Sequence, residues 1–469
     1  MGGIMRERTN LFLDDANIAE MTGLTRSWHH FTKHPANPLV TPSGIESIFF
    51  LFGSVIREPD PVRGGEPVFR MWYYGRGNDE GIAGNWTGYA ESRYGILWHK
   101  PDLGLHTSGG TTHNNIAFRS ENFRQIGLAG VMRDPSPDCP DSEAYKLAFA
   151  ADRGKPSHPD KCYLVASSPD GINWTHRNTF RPVEPVYPDR ACLVWDPYEG
   201  CYALYGRSVE RPDELIERGC PTWFGRTISR ITSGDLREWS DPVQVIQADM
   251  DDGGSTEIYG ASFFPYAGQW IALPQIHRSH PDMAWIDVSV AHSRDGVNWI
   301  RERELVLPNG GIGEWDRFNQ CASITPVIVG DEIWVYYSGR TYRHGEHKQA
   351  SFSDSGPMHS AIGLATLRLD GWCSLGASFQ GGSVTTRKID VPTDAHDLVI
   401  NAKTDWGEVI VDVIGEDGDV IMTSVPITGD SVRLVTAWPE RRGLSAVSGQ
   451  TVRLRFTMRN ALLYSWTIA

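Results

Sequence analysis

The chain has 469 residues, 40% hydrophobic and 11% aromatic, with 48 Gly, 29 Pro and 17 Trp, which suits a turn-rich globular protein and excludes disorder. Its formal charge is −14 and it has no Lys/Arg-rich run, so no nucleic-acid partner is expected. No stretch approaches ~18 continuous apolar residues, so no membrane span is expected either.

Residues 1–34 are predicted to form an N-terminal extension, with LFLDDANIAEMTG (11–23) as the one helix candidate of the chain. The first residues contain no apolar core of a signal segment, which predicts a cytoplasmic protein unless a leader has been removed. Seven cysteines (139, 162, 192, 201, 220, 321, 373) are scattered without CxxC spacing and read as free thiols of a reducing compartment.

From residue 35 to 375 one phrase recurs: SRYGILW ending at Trp98, SSPDGINW at Trp174, SGDLREW at Trp239, SRDGVNW at Trp299, and a degraded RLDGWCSL around Trp372. The spacing of about 60–75 residues is too long for helical solenoids and fits propeller blades with loop insertions. The D-G pair supplies the positive φ of a tight hairpin, and the Trp opens the strand that follows. Ahead of each phrase lies an alternating aromatic strand: FRMWYYGR (69–76), YKLAFAADR (145–153), YALYGRS (202–208), QWIALPQIHRS (269–279) and EIWVYYSGR (332–340). Four strands per repeat and five repeats predict an all-β fold, a five-bladed β-propeller. Residues 380–469, with short alternating runs and DG or GD turns, predict a C-terminal antiparallel β-sandwich.

A propeller's chemistry belongs at the axis, where inner strands from different blades converge. Two predicted inner strands begin with an acid at the same distance from their outer turn: Asp189 in DRACLVWDPYEG and Glu257 in EIYGASFFPYAG. A core-bound strand has little structural use for an ionised side chain there. The alternative is a carboxylate paired to a neighbour such as Arg190. For a third acid the candidates are Asp316 in GEWDRFNQ, then Glu46, with Glu121 also open; Asp134, in RDP, aligns with an outer turn and reads as a turn residue. Arg76, Arg153, Arg207, His277 and Arg340 end the aromatic strands; His113, Asn115 and Tyr259 adjoin predicted inner strands, and Trp315 is placed to stack on a sugar face. The set favours a polyhydroxylated or anionic ligand. No nucleotide-binding or zinc motif occurs, so neither cofactor nor metal is expected.

This pattern resembles the five-bladed propeller glycosidases, the superfamily of glycoside hydrolase families 32, 43, 68 and 130, and the propeller-plus-sandwich layout resembles family 32. The resemblance implies Asp189 as transition-state stabiliser, Glu257 as general acid and a third acid such as Asp316 as partner. It departs from family 32 in having no N-D-P motif for the nucleophile. It implies a glycosidase cleaving a terminal sugar from an oligosaccharide through an oxocarbenium-like state flanked by carboxyl groups. A sugar-binding propeller without catalysis, or a lyase or phosphorylase on related glycans, remains open beside it.

Overall fold

The structure, a computed structural model, describes residues 8–42, 44–60, 64–77, 85–120, 124–125, 130–152, 161–180, 189–210, 213–219, 225–279, 284–344, 352–353, 356–357, 359–439 and 443–469. Five antiparallel sheets follow one another as the blades of a propeller. Blade one comprises Glu46–Pro59, Pro67–Gly77, Asn85–Ser92 and Ile116–Phe118. Blade two comprises Gly130–Arg133, Tyr145–Asp152, Lys161–Ser168 and Thr175–Phe180. Blade three is Ala191–Asp196, Cys201–Val209, Arg226–Ser233 and Val243–Ile246; blade four is Thr256–Tyr266, Gln269–Arg278, Trp285–Ser293 and Trp299–Leu307. Blade five takes Phe318–Ala322, Glu332–Arg340 and Ser360–Arg368 from its own stretch of chain, and its outer strand, Thr32–Lys33, from the N-terminus.

In blades two and four the repeated phrase forms the hairpin between the third and fourth strands. Ser168 Oγ accepts from Gly171 N (2.9 Å), and Asp170 Oδ1 accepts from Ile172 N and Asn173 N (2.9 and 2.8 Å). Ser293 and Asp295 repeat the pattern at Gly296, Val297 and Asn298 (3.0, 2.9 and 2.7 Å). In three of the turns the positive-φ glycine then receives a side chain from the preceding blade. Trp72 Nε1 donates to Gly171 O (2.7 Å), Tyr205 OH to Gly296 O (2.9 Å) and Tyr336 OH to Gly95 O (2.8 Å), the last joining blade five to blade one. Gly171 has no spare volume: a Cβ there would lie 2.6 Å from the Trp72 ring. The sequence repeat is therefore also an inter-blade fastening.

The N-terminal segment is woven into the rest. Thr9–Leu11, Ile18–Thr22 and Leu24–Trp28 pair with strands of a ten-stranded C-terminal sheet. The expected helix over 11–23 is absent: Asp14 accepts from Ala16 N (2.9 Å) in a turn, and the extended chain on either side buries Leu11, Phe12, Leu13 and Ile18. The two long strands of the C-terminal sheet, Leu398–Ile414 and Thr451–Ile468, pair along their length, and their register slips between Thr404 and Glu408 near the positive-φ residues Trp406 and Asn460. One apolar core runs from this sheet (Leu398, Val411, Phe456) into blades four and five (Phe264, Ile271, Val335). Asp370 stitches the same boundary, accepting from Tyr266 OH (2.7 Å) and Ser465 Oγ (2.9 Å). The described helix, Asp213–Glu217, has five residues, and no helix among the described residues is long and apolar enough to cross a membrane.

Candidate active site

Three inner strands break register at their axial ends. The slips fall between Phe50 and Ser54 in blade one, Ile258 and Gly260 in blade four, and Phe318 and Cys321 in blade five. A bulge re-aims side chains that regular pleating would send between blades. Here Tyr259 leaves the ladder: its carbonyl accepts from Arg207 Nε (3.0 Å), and its ring meets Phe52 of blade one at 6.2 Å and His344 beyond blade five at 5.1 Å. Phe50, Phe52, Tyr74, Tyr259, Ile286 and Cys321, drawn from blades one, four and five, close into one apolar cluster.

Asp189 stands just ahead of the inner strand of blade three, with its side chain 24% exposed and ion-paired to Arg207, which is itself buried. The partner is thus Arg207 rather than Arg190. Arg207 is held on three sides: its backbone N–H donates to Tyr163 OH (2.9 Å), its guanidinium caps the Tyr259 carbonyl, and its Cζ lies 4.3 Å from the Tyr259 ring centroid. Asp189 therefore has one fixed oxygen and an accessible face. Nearby, burial pushes the Tyr74 phenol up to about 12, against the opposing pull of Arg76.

Glu257, expected as the general acid, also lies in this region. Its side chain is 1% exposed, with Oε1 accepting from Gly225 N (2.6 Å) and Oε2 lying 2.5 Å from Arg226 Nη1 and 3.1 Å from His277 Nδ1. Burial alone would raise its pKa; the His277 hydrogen bond and the Arg226 charge outweigh it and hold the carboxyl below the usual range. A general acid needs the opposite environment. In this structure Glu257 anchors Arg226 and His277.

Asp316 is not an axial acid either. It is 2% exposed and bonded to Lys33 Nζ (2.7 Å) on the closing strand, Tyr337 OH (2.8 Å) and Gln320 Nε2 (3.2 Å). Trp315 stacks on Tyr337 (5.5 Å between centroids) and fits over Gly363, where a Cβ would lie 2.8 Å from the indole. Both residues line a separate cleft of ≈ 540 Å³ together with Lys33, Asn37 and Glu314. Glu46 is buried between Tyr73 OH and Lys100 Nζ (2.5 Å each). His113 and Asn115 were expected beside an inner strand; their segment leads instead into the outer strand of blade one, and the inner strand of blade two is Gly130–Arg133. His113 is exposed and pairs with Asp102 (2.7 Å), and Asn115 donates to Tyr73 OH and Tyr89 O inside the blade. Asp134 holds a turn, accepting from Ser136 N (2.9 Å) and Tyr202 OH (2.7 Å). Glu121, Arg153 and Cys220 lie outside the described residues.

No family model matches the chain. Solved structures similar to it include an N-acetylgalactosamine deacetylase from F. plautii in complex with blood group B trisaccharide (14% identity, TM-score 0.48, covering 75% of this chain and 96% of that one). Another is a beta-1,2-mannobiose phosphorylase from Listeria innocua (14%, TM-score 0.46, 72% and 97%). A third is a glycoside hydrolase family 43 arabinoxylan arabinofuranohydrolase from Bacillus subtilis (12%, TM-score 0.39, 93% and 98%). Among curated sequences, flagellin A of two Vibrio cholerae strains is 30% identical over 132 residues, 28% of this chain and 32% of flagellin, so the chain spans about a third of that relative's length.

Among the described residues, the cations around the axis outnumber the carboxylates. Arg76, Arg207 and Arg340 were legible as the ends of aromatic strands; Arg226 and His344 were not. Arg226 opens a third strand, and its one sequence signal is the Gly-Arg-Thr triplet it shares with 339–341. Arg190 crosses beneath the site: Nη2 donates to Ser262 Oγ (3.0 Å) of blade four and Ala322 O (2.7 Å) of blade five, while Cζ lies 5.5 Å from the Phe52 ring centroid of blade one. Gly260 makes room for it, since a Cβ there would meet Arg190 Cδ at 2.8 Å. Burial, reinforced by the charges of His277, Arg226, Arg340 and Arg207, holds His344 well below the ordinary imidazole range.

Proposed function

We propose that this protein is a glycan-active enzyme, a glycosidase acting on a terminal sugar at the axial funnel, with Asp189 as the carboxylate that faces the substrate. The observation that carries the reading is the position of Asp189. Among the described acids gathered at the axis it alone has an open face, one oxygen is fixed by Arg207, and Tyr259, Tyr74 and Phe50 supply aromatic walls of the kind that pack on sugar rings. A carboxylate so placed stabilises positive charge developing on a sugar ring. A funnel closed from below by Arg190 takes a chain end more readily than a chain interior, which favours exo-action. Glu257 and Asp316, both buried in ion pairs, are not assigned as the proton donor to the leaving oxygen.

A second reading, glycan binding without turnover, is favoured by the lack of a second exposed carboxylate at the axis among the described residues. Both readings meet one experiment: chromatographic product analysis over a panel of oligosaccharides and aryl glycosides, with wild type and Asp189→Asn. Glycosidase action predicts products from wild type and a loss of about 10²–10⁴-fold in Asp189→Asn, with the fold retained. Full turnover in Asp189→Asn would sink the assignment; saturable binding with no product would support the second reading.

A further inference from the structure

Among the described residues, two guanidinium groups at the axis have no carboxylate partner. Arg207 is matched by Asp189 and Arg226 by Glu257, but Arg340 and Arg190 meet no acid among the described residues. Arg340 is 5% exposed; its Nε is buried without a hydrogen-bond partner, and its Cζ lies 3.5 Å from the Phe50 ring centroid and 5.4 Å from that of Tyr342. Stacking on aromatic faces fixes the plane of the fork but satisfies none of its N–H groups. Arg190 Nε and Nη1, deeper on the same axis, are likewise buried and unpartnered, as is His277 Nε2. A protein of charge −14 thus gathers, among its described residues, cations without a carboxylate partner where its blades converge. Buried charge of this kind is normally paired.

We infer that the ligand of the axial funnel carries a carboxylate, as a uronic acid does, and that Arg340 is the residue that selects it. This rests on the funnel being the sugar site proposed above. A planar monoanion matches a single free guanidinium fork held against Phe50, whereas the negative charge of Asp189 at the same axis disfavours a dianion. Arg340 here is a specificity residue: it binds the acid group and takes no part in bond cleavage.

The test is calorimetric titration of the whole chain with glucuronate and galacturonate, with glucose and galactose as neutral counterparts, and with inorganic phosphate as a separate arm. The inference expects uronates to bind at least about tenfold more tightly than the neutral sugars, and Arg340→Met to remove that preference while neutral-sugar binding and the circular dichroism spectrum persist. Arg340→Lys, which keeps the charge but loses the fork, should fall between the two. Equal binding of neutral and acidic sugars, an undiminished uronate preference in Arg340→Met, or phosphate binding more tightly than either uronate would each overturn it. The two proposals fail separately. Asp189-dependent cleavage of neutral glycans with no uronate preference would leave the glycosidase reading and remove this one. Arg340-dependent uronate binding with no cleavage of any glycan would do the reverse.

Discussion

Arg226 Nη1 lies 2.5 Å from Glu257 Oε2, a bond that runs from the third strand of blade three to the inner strand of blade four. Both side chains are buried, and His277 completes the group at 3.1 Å. Removing one member of such a pair leaves the other charged and unsolvated, at a cost of about 3–5 kcal/mol. Glu257→Gln is therefore expected to lower stability in urea denaturation by about 3 kcal/mol, and Arg226→Gln in the same background to add little. A stable Glu257→Gln protein that had lost only activity would point back to a proton-donor role.

The Lys33–Asp316 bond has a different job. It fixes the two-residue closing strand Thr32–Lys33 to blade five. Lys33 is partly exposed, so its loss is screened, and Lys33→Met should destabilise by about 2 kcal/mol. Asp316→Asn should likewise reduce the thermal midpoint while leaving turnover and axial ligand binding as in wild type. A selective loss of turnover in Asp316→Asn with an unchanged midpoint would return Asp316 to the site.

Acid sensitivity should begin near neutrality. Burial drives His292 down to about 4, with Arg26 and Arg294 adding to it against Asp14, and both ring nitrogens lack hydrogen-bond partners. A histidine with a folded pKa below its unfolded value contributes nothing unfavourable above about 6.5; as pH falls below that, the unfolded chain takes up the proton and stability drops by about 1.4 kcal/mol per unit until the folded pKa is reached. His277 and His344 are depressed in the same sense. Glu257, depressed as a carboxylate, adds a further loss only below the ordinary range of Glu. His292→Phe keeps the stacking on Trp28 (5.8 Å between centroids) and removes the titration, so it should be more stable than wild type at pH 5 by urea denaturation. Parallel pH profiles for the two proteins would exclude His292 as the source.

Ring closure offers a further check. Tyr336 OH donates to Gly95 O (2.8 Å) between blades five and one, and both groups are buried in the interface. Tyr336→Phe removes one of two donors to that carbonyl, which Trp98 Nε1 also reaches (3.1 Å), and should cost about 0.5–1.5 kcal/mol. An unchanged midpoint in thermal unfolding would mean that the hydroxyl does not help fasten the ring.

The architecture was legible in the sequence because each blade is a local object. Alternating aromatic strands, a Ser-x-Asp-Gly turn and a following Trp lie within a few tens of residues of one another, so periodicity and turn chemistry report them directly. Asp189 and the arginines at the strand ends were legible for the same reason: they stand at fixed offsets in a repeated unit. Which charges meet was not. Whether Glu257 is a free acid or an anchor depends on Arg226, 31 residues away in the chain and on another blade. Whether Asp316 faces the axis depends on a strand some 280 residues earlier, and whether Tyr259 turns inward depends on a one-residue slip in pairing. Hydrophobic alternation along a strand determines a blade, but the ionisation state and aim of a buried side chain are set by neighbours brought in from other blades, and only closure of the ring supplies them.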